Sequence, residues 1–295
     1  MSLSKYEVFN TVVELGSLTK AAEALNLTQS AVSYSLANLE SELGFSLLIR
    51  GRSGITLTSN GQRILKYIRT ILHWDEKLKQ EAASINGLEV GTVRIGAPAS
   101  VCIQWLPALM RYFKKEHPLI EIQIFQAGYQ DIEEWITNGV IDFGFIALPT
   151  LESFETIPLK KDRILCILPH NHPLSNQDKI RMEQLEKESF ITLKSGYNND
   201  MKRVLKETGV TLKNSFEMVD DQAIVAMVEN ELGVSIIPEL VLQGMSHNVR
   251  VLSLEPEQHR IISIAATSLK ELSPAAKKSI EYIKTLLGIQ TFSFD

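Results

Sequence analysis

Long hydrophobic runs are missing from this chain of 295 residues. No stretch approaches the roughly eighteen consecutive apolar residues that a spanning helix needs, so no membrane partner is expected. The opening MSLSKYEVF places Lys5 and Glu7 where the apolar core of a signal peptide would run, and the expected location is therefore the cytoplasm. Cysteine is scarce: Cys102 and Cys166 stand far apart with no CxxC, which excludes a disulfide framework and a zinc site and leaves both thiols as reduced, structural residues. Also missing are GxSxG, a phosphate-cradling glycine loop, a dinucleotide fingerprint and HExxH, so no enzyme activity, metal or cofactor is expected.

The composition, 44% hydrophobic and 22% charged, is that of an ordinary globular protein. Its length favours two or three folding units. The formal net charge of -5 opposes nucleic-acid binding, but its distribution does not. Residues 1–70 hold seven cations and five carboxylates, a balance of +2 that leaves -7 to the remainder. No Asp or Glu occurs between Glu42 and Asp75, whereas Arg50, Arg52, Arg63, Lys66 and Arg69 do. A basic head precedes an acidic body.

Within that head Tyr6, Phe9, Val12 and Val13 recur at helical spacing before Gly16. Ser17 is placed to cap a second helix, whose Ala21, Ala22 and Ala24 allow close crossing, and Asn26 suits a left-handed turn. Thr28 is the next N-cap, followed by Val32, Leu36, Leu39 and Leu43 on one face. Burying that face turns Gln29, Ser30, Ser33, Tyr34 and Ala37 outward. Gln can pair with adenine, Ser with any base, and an Ala methyl with thymine. The competing use of the same side chains is simple solvation or capping. The segment Arg50-Gly51-Arg52-Ser53-Gly54-Ile55-Thr56-Leu57-Thr58 then has the turn glycines of a wing and two guanidiniums that can reach phosphates or the minor groove.

From Ser59 to Ile85 a long helix carries Ile64, Ile68, Ile71, Leu78, Ala82 and Ile85 in four- and three-residue steps. The stripe suits either packing on the head or pairing with a second copy, and a rise of about 1.5 Å per residue makes the helix longer than a small head requires. Past Gly87 the pattern alternates strands (93–97, 120–125, 142–148, 163–169, 190–193, 233–238, 262–267) with helices starting near Gln104, Ile132, Asn199, Gln222 and Pro274, which predicts a parallel α/β body in two lobes with a cleft between them. Ser100 to Ile103, at a helix start, would offer N–H groups and a hydroxyl to a small organic anion, or Ser100 would only cap its helix. Cys102 near that helix start could sense redox state. The pair His170 and His172 lacks further ligands nearby and reads as a surface turn.

Residues 1 to about 65, with GSLTKAAEALN, TQSAVS and LLIRGRSGITLTSNG in this order, resemble the head of the LysR-type transcriptional regulators, and the body resembles that family's effector domain. The resemblance implies a winged helix-turn-helix over 1–58, a linker and dimerisation helix over 59–88, and a two-lobed effector-binding domain of periplasmic-binding-protein type over 89–295, with lobe I at 89–162 and 265–295 and lobe II at 163–264. It implies base contacts from Gln29, Ser30 and Ser33, and backbone contacts from Thr28, Arg50, Arg52 and Thr56. Tyr34 stands where the family usually has Arg or Gln, and Leu48 where Phe is customary. The effector would meet Ser100, Val101, Cys102, Gly128, Ala147, Pro149, Thr192, Lys194, Ile237 and Pro238. Implied partners are double-stranded promoter DNA, a small-molecule effector, a second copy in a dimer or tetramer, and RNA polymerase for an activator. The alternatives are a solute-binding module, which would carry a signal peptide and no basic head, and an enzyme built on the α/β body.

Overall fold

The computed structural model describes residues 2–51, 54–150, 153–194, 199–212 and 214–289. Two compact units emerge, one of residues 1–91 with 138–140 and one of the rest.

The first unit is a helical head with a hairpin. Helix α1 (Leu3–Leu15) stops at Gly16, whose φ of 61° bonds its N–H back to the Val12 carbonyl. Ser17 accepts from the Lys20 N–H to cap α2 (Leu18–Ala24), and Asn26 turns the chain at φ 54°. Helix α3 (Gln29–Leu43) follows, ending on Gly44 at φ 81°. Phe9, Val12, Ala21, Val32, Leu36, Leu39 and Leu47 form the core of this unit, each large apolar side chain contributing about 1.5–3 kcal/mol by leaving water. Strands β1 (Leu48–Gly51) and β2 (Gly54–Leu57) pair antiparallel, Ile49 opposite Thr56. Thr58 caps α4 (Ser59–Ile85) by accepting from the Gly61 N–H at 2.9 Å.

The α4 stripe has two destinations. Leu65 and Ile68 are buried in the head core, and Ile64 and Leu72 pack against it. Tyr67, Ile71, Trp74, Leu78 and Ile85 instead remain exposed, in a second series with the same four- and three-residue steps. The predicted stripe thus divides: Ile64 and Ile68 serve the head, while Ile71, Leu78 and Ile85 do not.

The second unit begins with β3 (Gly91–Ala97), α5 (Ala99–Gln104) and α6 (Leu106–Glu116). Where one helix was expected near Gln104 there are two, parted at Trp105, because Pro107 lacks an N–H and is tolerated only in a first turn. Next come β4 (Ile120–Gln126), α7 (Tyr129–Thr137), β5 (Phe143–Leu148) and the long β6 (Glu155–Pro169). Then follow β7 (Lys179–Ile180), β8 (Ser189–Leu193), α8 (Asn199–Thr208), β9 (Asn214–Met218), α9 (Asp221–Glu229), β10 (Ser235–Pro238) and α10 (Glu239–Leu242). The long β11 (Val249–Ala266) and α11 (Pro274–Leu286) finish it.

Seven strands form one sheet in the order β10-β6-β11-β5-β3-β4, with β7 beside β11, and β8-β9 form another. The sheet is mixed, not parallel as expected: β3 runs parallel to β5, but β11 is antiparallel to both β5 and β6. Those two long strands carry the chain between lobes, so they run past one another in opposite directions. The return crossing also comes earlier than the expected 264/265, because Ile261 to Ala265 already pair with β5 of the first lobe. On β6, Ile164, Cys166 and Leu168 enter one core of the second lobe while Leu165 and Ile167 enter another, the alternation of a strand covered on both faces.

Candidate functional site

On the head, Thr28 accepts from the Ala31 N–H at 3.1 Å and lies 2.9 Å from the Ser30 hydroxyl, fixing the start of α3. Gln29, Ser30, Tyr34 and Ala37 are exposed and Ser33 is half-buried, opposite fully buried Val32, Leu36 and Leu39. Tyr34 is 70% exposed, so its phenol is available to a partner and plays no part in the core. Thr56 is exposed on the hairpin. Glu40 ties hairpin to helix: its Oε1 accepts from the Leu47 and Leu48 N–H groups at 2.6 and 3.2 Å. Arg52 and the Arg50 side chain lie outside the described residues.

In the second unit a cleft of about 600 Å³ opens between the lobes. At its floor lies Arg260, placed by β11 at the point where that strand changes lobes. Its Nε donates to Asp162 Oδ2 at 2.8 Å, Nη1 to the Tyr129 hydroxyl at 2.8 Å and Nη2 to Ser100 Oγ at 3.1 Å. Asp200 Oδ2 is 3.9 Å from Nη1. Asp162 Oδ1 in turn accepts from the Leu240 N–H at 3.0 Å. Burial pulls the guanidinium pKa down, but Tyr129, Asp162 and Asp200 outweigh it and the net shift is upward. Burial pushes the Tyr129 phenol and the Asp200 carboxyl up. Asp221, also on the cleft wall, is pushed up to about 6, mainly by burial and against the pull of Arg260. Gln104 bonds the Gln243 carbonyl across the lobes.

Of the expected effector contacts, Ser100, Gly128 and Pro238 line this cleft. The others do not, and each is displaced by local geometry. Val101 and Ile237 face buried cores, because a helix turn and a strand alternation each point them away. Thr192 is buried and bonds the Phe216 carbonyl at 3.4 Å. Lys194 and Pro149 are exposed outside the cleft, and Ala147 is half-buried within β5. Cys102 donates to the Ala97 carbonyl, and burial pushes its thiol up to about 11, opposite to the lowering expected at that helix start. The anion site expected at this helix start loses two N–H donors, while the Ser100 hydroxyl keeps its own proton to donate. Val101 and Cys102 N–H groups both bond the Pro98 carbonyl at 3.0 Å, and Ser100 Oγ accepts from Arg260. His172 spends its ring on the Leu174 N–H and Glu188, as a turn residue.

No sequence pattern singles out Arg260, Asp162, Tyr129, Asp200 or Asp221. The one local signal is an isolated arginine in the apolar run of RIISIAA, where a strand core leaves little room for an unpaired charge.

Residues 3–62 match the family described as bacterial regulatory helix-turn-helix protein, lysR family, and residues 86–288 match the LysR substrate binding domain. The chain is 36% identical over 293 residues to the uncharacterized HTH-type transcriptional regulator YvbU of Bacillus subtilis, covering 98% of this chain and 100% of that one. It is 29% identical over 300 residues to the transcriptional dual regulator GltC of the same organism, covering 99% and 98%. Among solved structures, full-length OxyR from Pseudomonas aeruginosa superposes with a TM-score of 0.78 at 23% identity, over 97% of this chain and 94% of that one. The effector binding domain of QuiR in complex with shikimate gives 0.60 at 25% identity, over 68% and 98%. Head and body match in one continuous order, and the chain belongs to the LysR family of transcriptional regulators, with an N-terminal DNA-binding head and an effector-binding domain.

Proposed function

We propose that this regulator reads promoter DNA with Gln29, Ser30 and Ser33 in the major groove, while Thr28, Thr56, Arg50 and Arg52 hold the phosphate backbone. Tyr34 adds a phenol that can donate to phosphate or stack, but cannot fork to guanine. The observation that carries this reading is the polar, exposed face of α3 set opposite its fully buried apolar face. The exposed series Tyr67, Ile71, Trp74, Leu78 and Ile85 on α4 takes the same series of a second copy, which pairs two heads for two half-sites. In the body, the effector occupies the cleft at Ser100, Gly128 and Pro238; the similar effector binding domain of QuiR is in complex with shikimate, a small molecule. An effector with unequal affinity for two lobe arrangements shifts their populations, and that difference is the free energy passed to the heads. The protein acts in the cytoplasm, and contact with RNA polymerase follows where it activates.

Gel-shift titration on mapped genomic sites and on random DNA tests the reading. Gln29→Ala is expected to weaken specific sites by about 1–3 kcal/mol and spare random DNA. Arg52→Ala is expected to weaken both and flatten the salt dependence. Equal losses on both DNAs for both variants would overturn the assignment.

A further inference from the structure

The chemistry of the cleft narrows what it holds, given that this cleft is the effector site. Arg260 is the single cation among the described residues that line it, and three of its five N–H groups donate to Asp162, Tyr129 and Ser100. A ligand carboxylate there would meet a guanidinium whose charge Asp162 and Asp200 already offset. The start of α9 is no better as an anion seat. Asp220 accepts from the Gln222 N–H at 2.8 Å, and Asp221 follows in the first turn, so the chain's own carboxylates answer the positive end of that helix.

Acid is in surplus there. Asp131, Asp220 and Asp221 line the cleft, and Asp162 and Asp200 lie beneath it against Arg260. Among the described residues Asp221 Oδ1 is buried and finds no hydrogen-bond donor, a costly state for a carboxylate oxygen unless one arrives. The remaining walls mix Gln104, Gln126 and Gln222 with the apolar Ile103, Val219 and Leu240.

We propose that the effector is an amphipathic amine, whose ammonium group pairs with Asp221 and whose apolar body lies on the Ile103, Val219 and Leu240 wall. The ammonium supplies the donor that Asp221 lacks and balances the excess of carboxylates, and the body fills the apolar part of the cavity. Arg260 then serves as fixed counter-charge for Asp162 and Asp200 and leaves Asp221 to the ligand.

Three probes of one shape and different charge separate the possibilities on the full chain: benzylamine, benzyl alcohol and benzoate, read by calorimetry and thermal shift. Benzylamine is expected to bind, about tenfold more tightly at pH 7.5 than at pH 5, since Asp221 takes up a proton below about 6 and must give it up to pair with the ammonium. The groups facing that carboxylate are Arg260 from β11 and Asp220 from its own helix, with Asp200 of α8 and Asp162 of β6 behind. Asp221→Asn is expected to weaken benzylamine at least tenfold at pH 7.5 and to abolish its pH dependence. Preferential binding of benzoate or benzyl alcohol would overturn the amine assignment while leaving the cleft as effector site. Binding of none of the three overturns the amine and the cleft together.

Discussion

Arg260 Nε stands 2.8 Å from Asp162 Oδ2, and neither side chain meets solvent appreciably. An ion pair taken out of water is costly to break by halves, because removing one partner strands the other in a low dielectric. Arg260→Leu, which leaves Asp162 without its counter-charge and Asp200 with Arg203 at 4.0 Å, is expected to destabilise the second unit by about 3–5 kcal/mol in urea unfolding. A loss below about 1 kcal/mol would mean that water reaches these carboxylates.

Asp221 gives a stability prediction of defined sign. Its pKa rises from 3.8, the ordinary value of a solvated aspartate, to about 6 in the fold, so the native state binds its proton more tightly than the unfolded state. The associated stability is complete below about 3.8 and is lost as pH rises through about 6. Asp221→Asn is therefore expected to raise stability at pH 7.5 by roughly 1–3 kcal/mol and to change it little at pH 3.5. Unfolding curves at the two pH values check this, and equal effects at both would contradict it.

Glu40 holds two backbone donors at the root of the hairpin. Glu40→Ala leaves the Leu47 and Leu48 N–H groups without that acceptor, an expected cost of about 2 kcal/mol to the head. Binding to specific and to random DNA is expected to fall together, because the wing loses its position and base contacts are untouched. Selective loss on specific sites would point to another role for Glu40.

The exposed face of α4 yields a test of association. Leu78 is 67% exposed and makes no contribution to the head core. Leu78→Glu is expected to shift the molar mass in light scattering toward the monomer while leaving helix content by circular dichroism unchanged. An unchanged mass would assign pairing to another surface.

The head was legible because its signals are local. Caps at Ser17 and Thr28, stops at Gly16 and Gly44, and a 3.6-residue apolar period each act within one or two turns. The cleft was legible only in outline. Ser100, Tyr129, Asp162, Asp200 and Arg260 lie up to 160 residues apart and meet only through the crossing of β6 and β11, which no short-range pattern encodes. The misplaced contacts share that origin. Val101 and Ile237 sit in the expected segments, yet the phase of a helix and the alternation of a strand, both set by tertiary packing, point them into cores. The split of the α4 stripe has a similar cause: periodicity shows which residues share a face, but the end of the head core decides where that face runs out of partners.

The long strands β6 and β11 join the two lobes by a hydrogen-bonded ribbon in place of loose linkers. Such a ribbon resists sliding, since slipping by one residue would exchange its two faces and expel both sets of core side chains. Twisting and bending are the cheap deformations left to it, and the register shifts between Ser253 and Gln258 and between Ile262 and Ser263 are where the ladder is already interrupted. Mechanically the effector domain is a torsion bar with a soft segment on either side of Arg260, so a ligand in the cleft works against a spring whose stiffness the chain sets through its backbone.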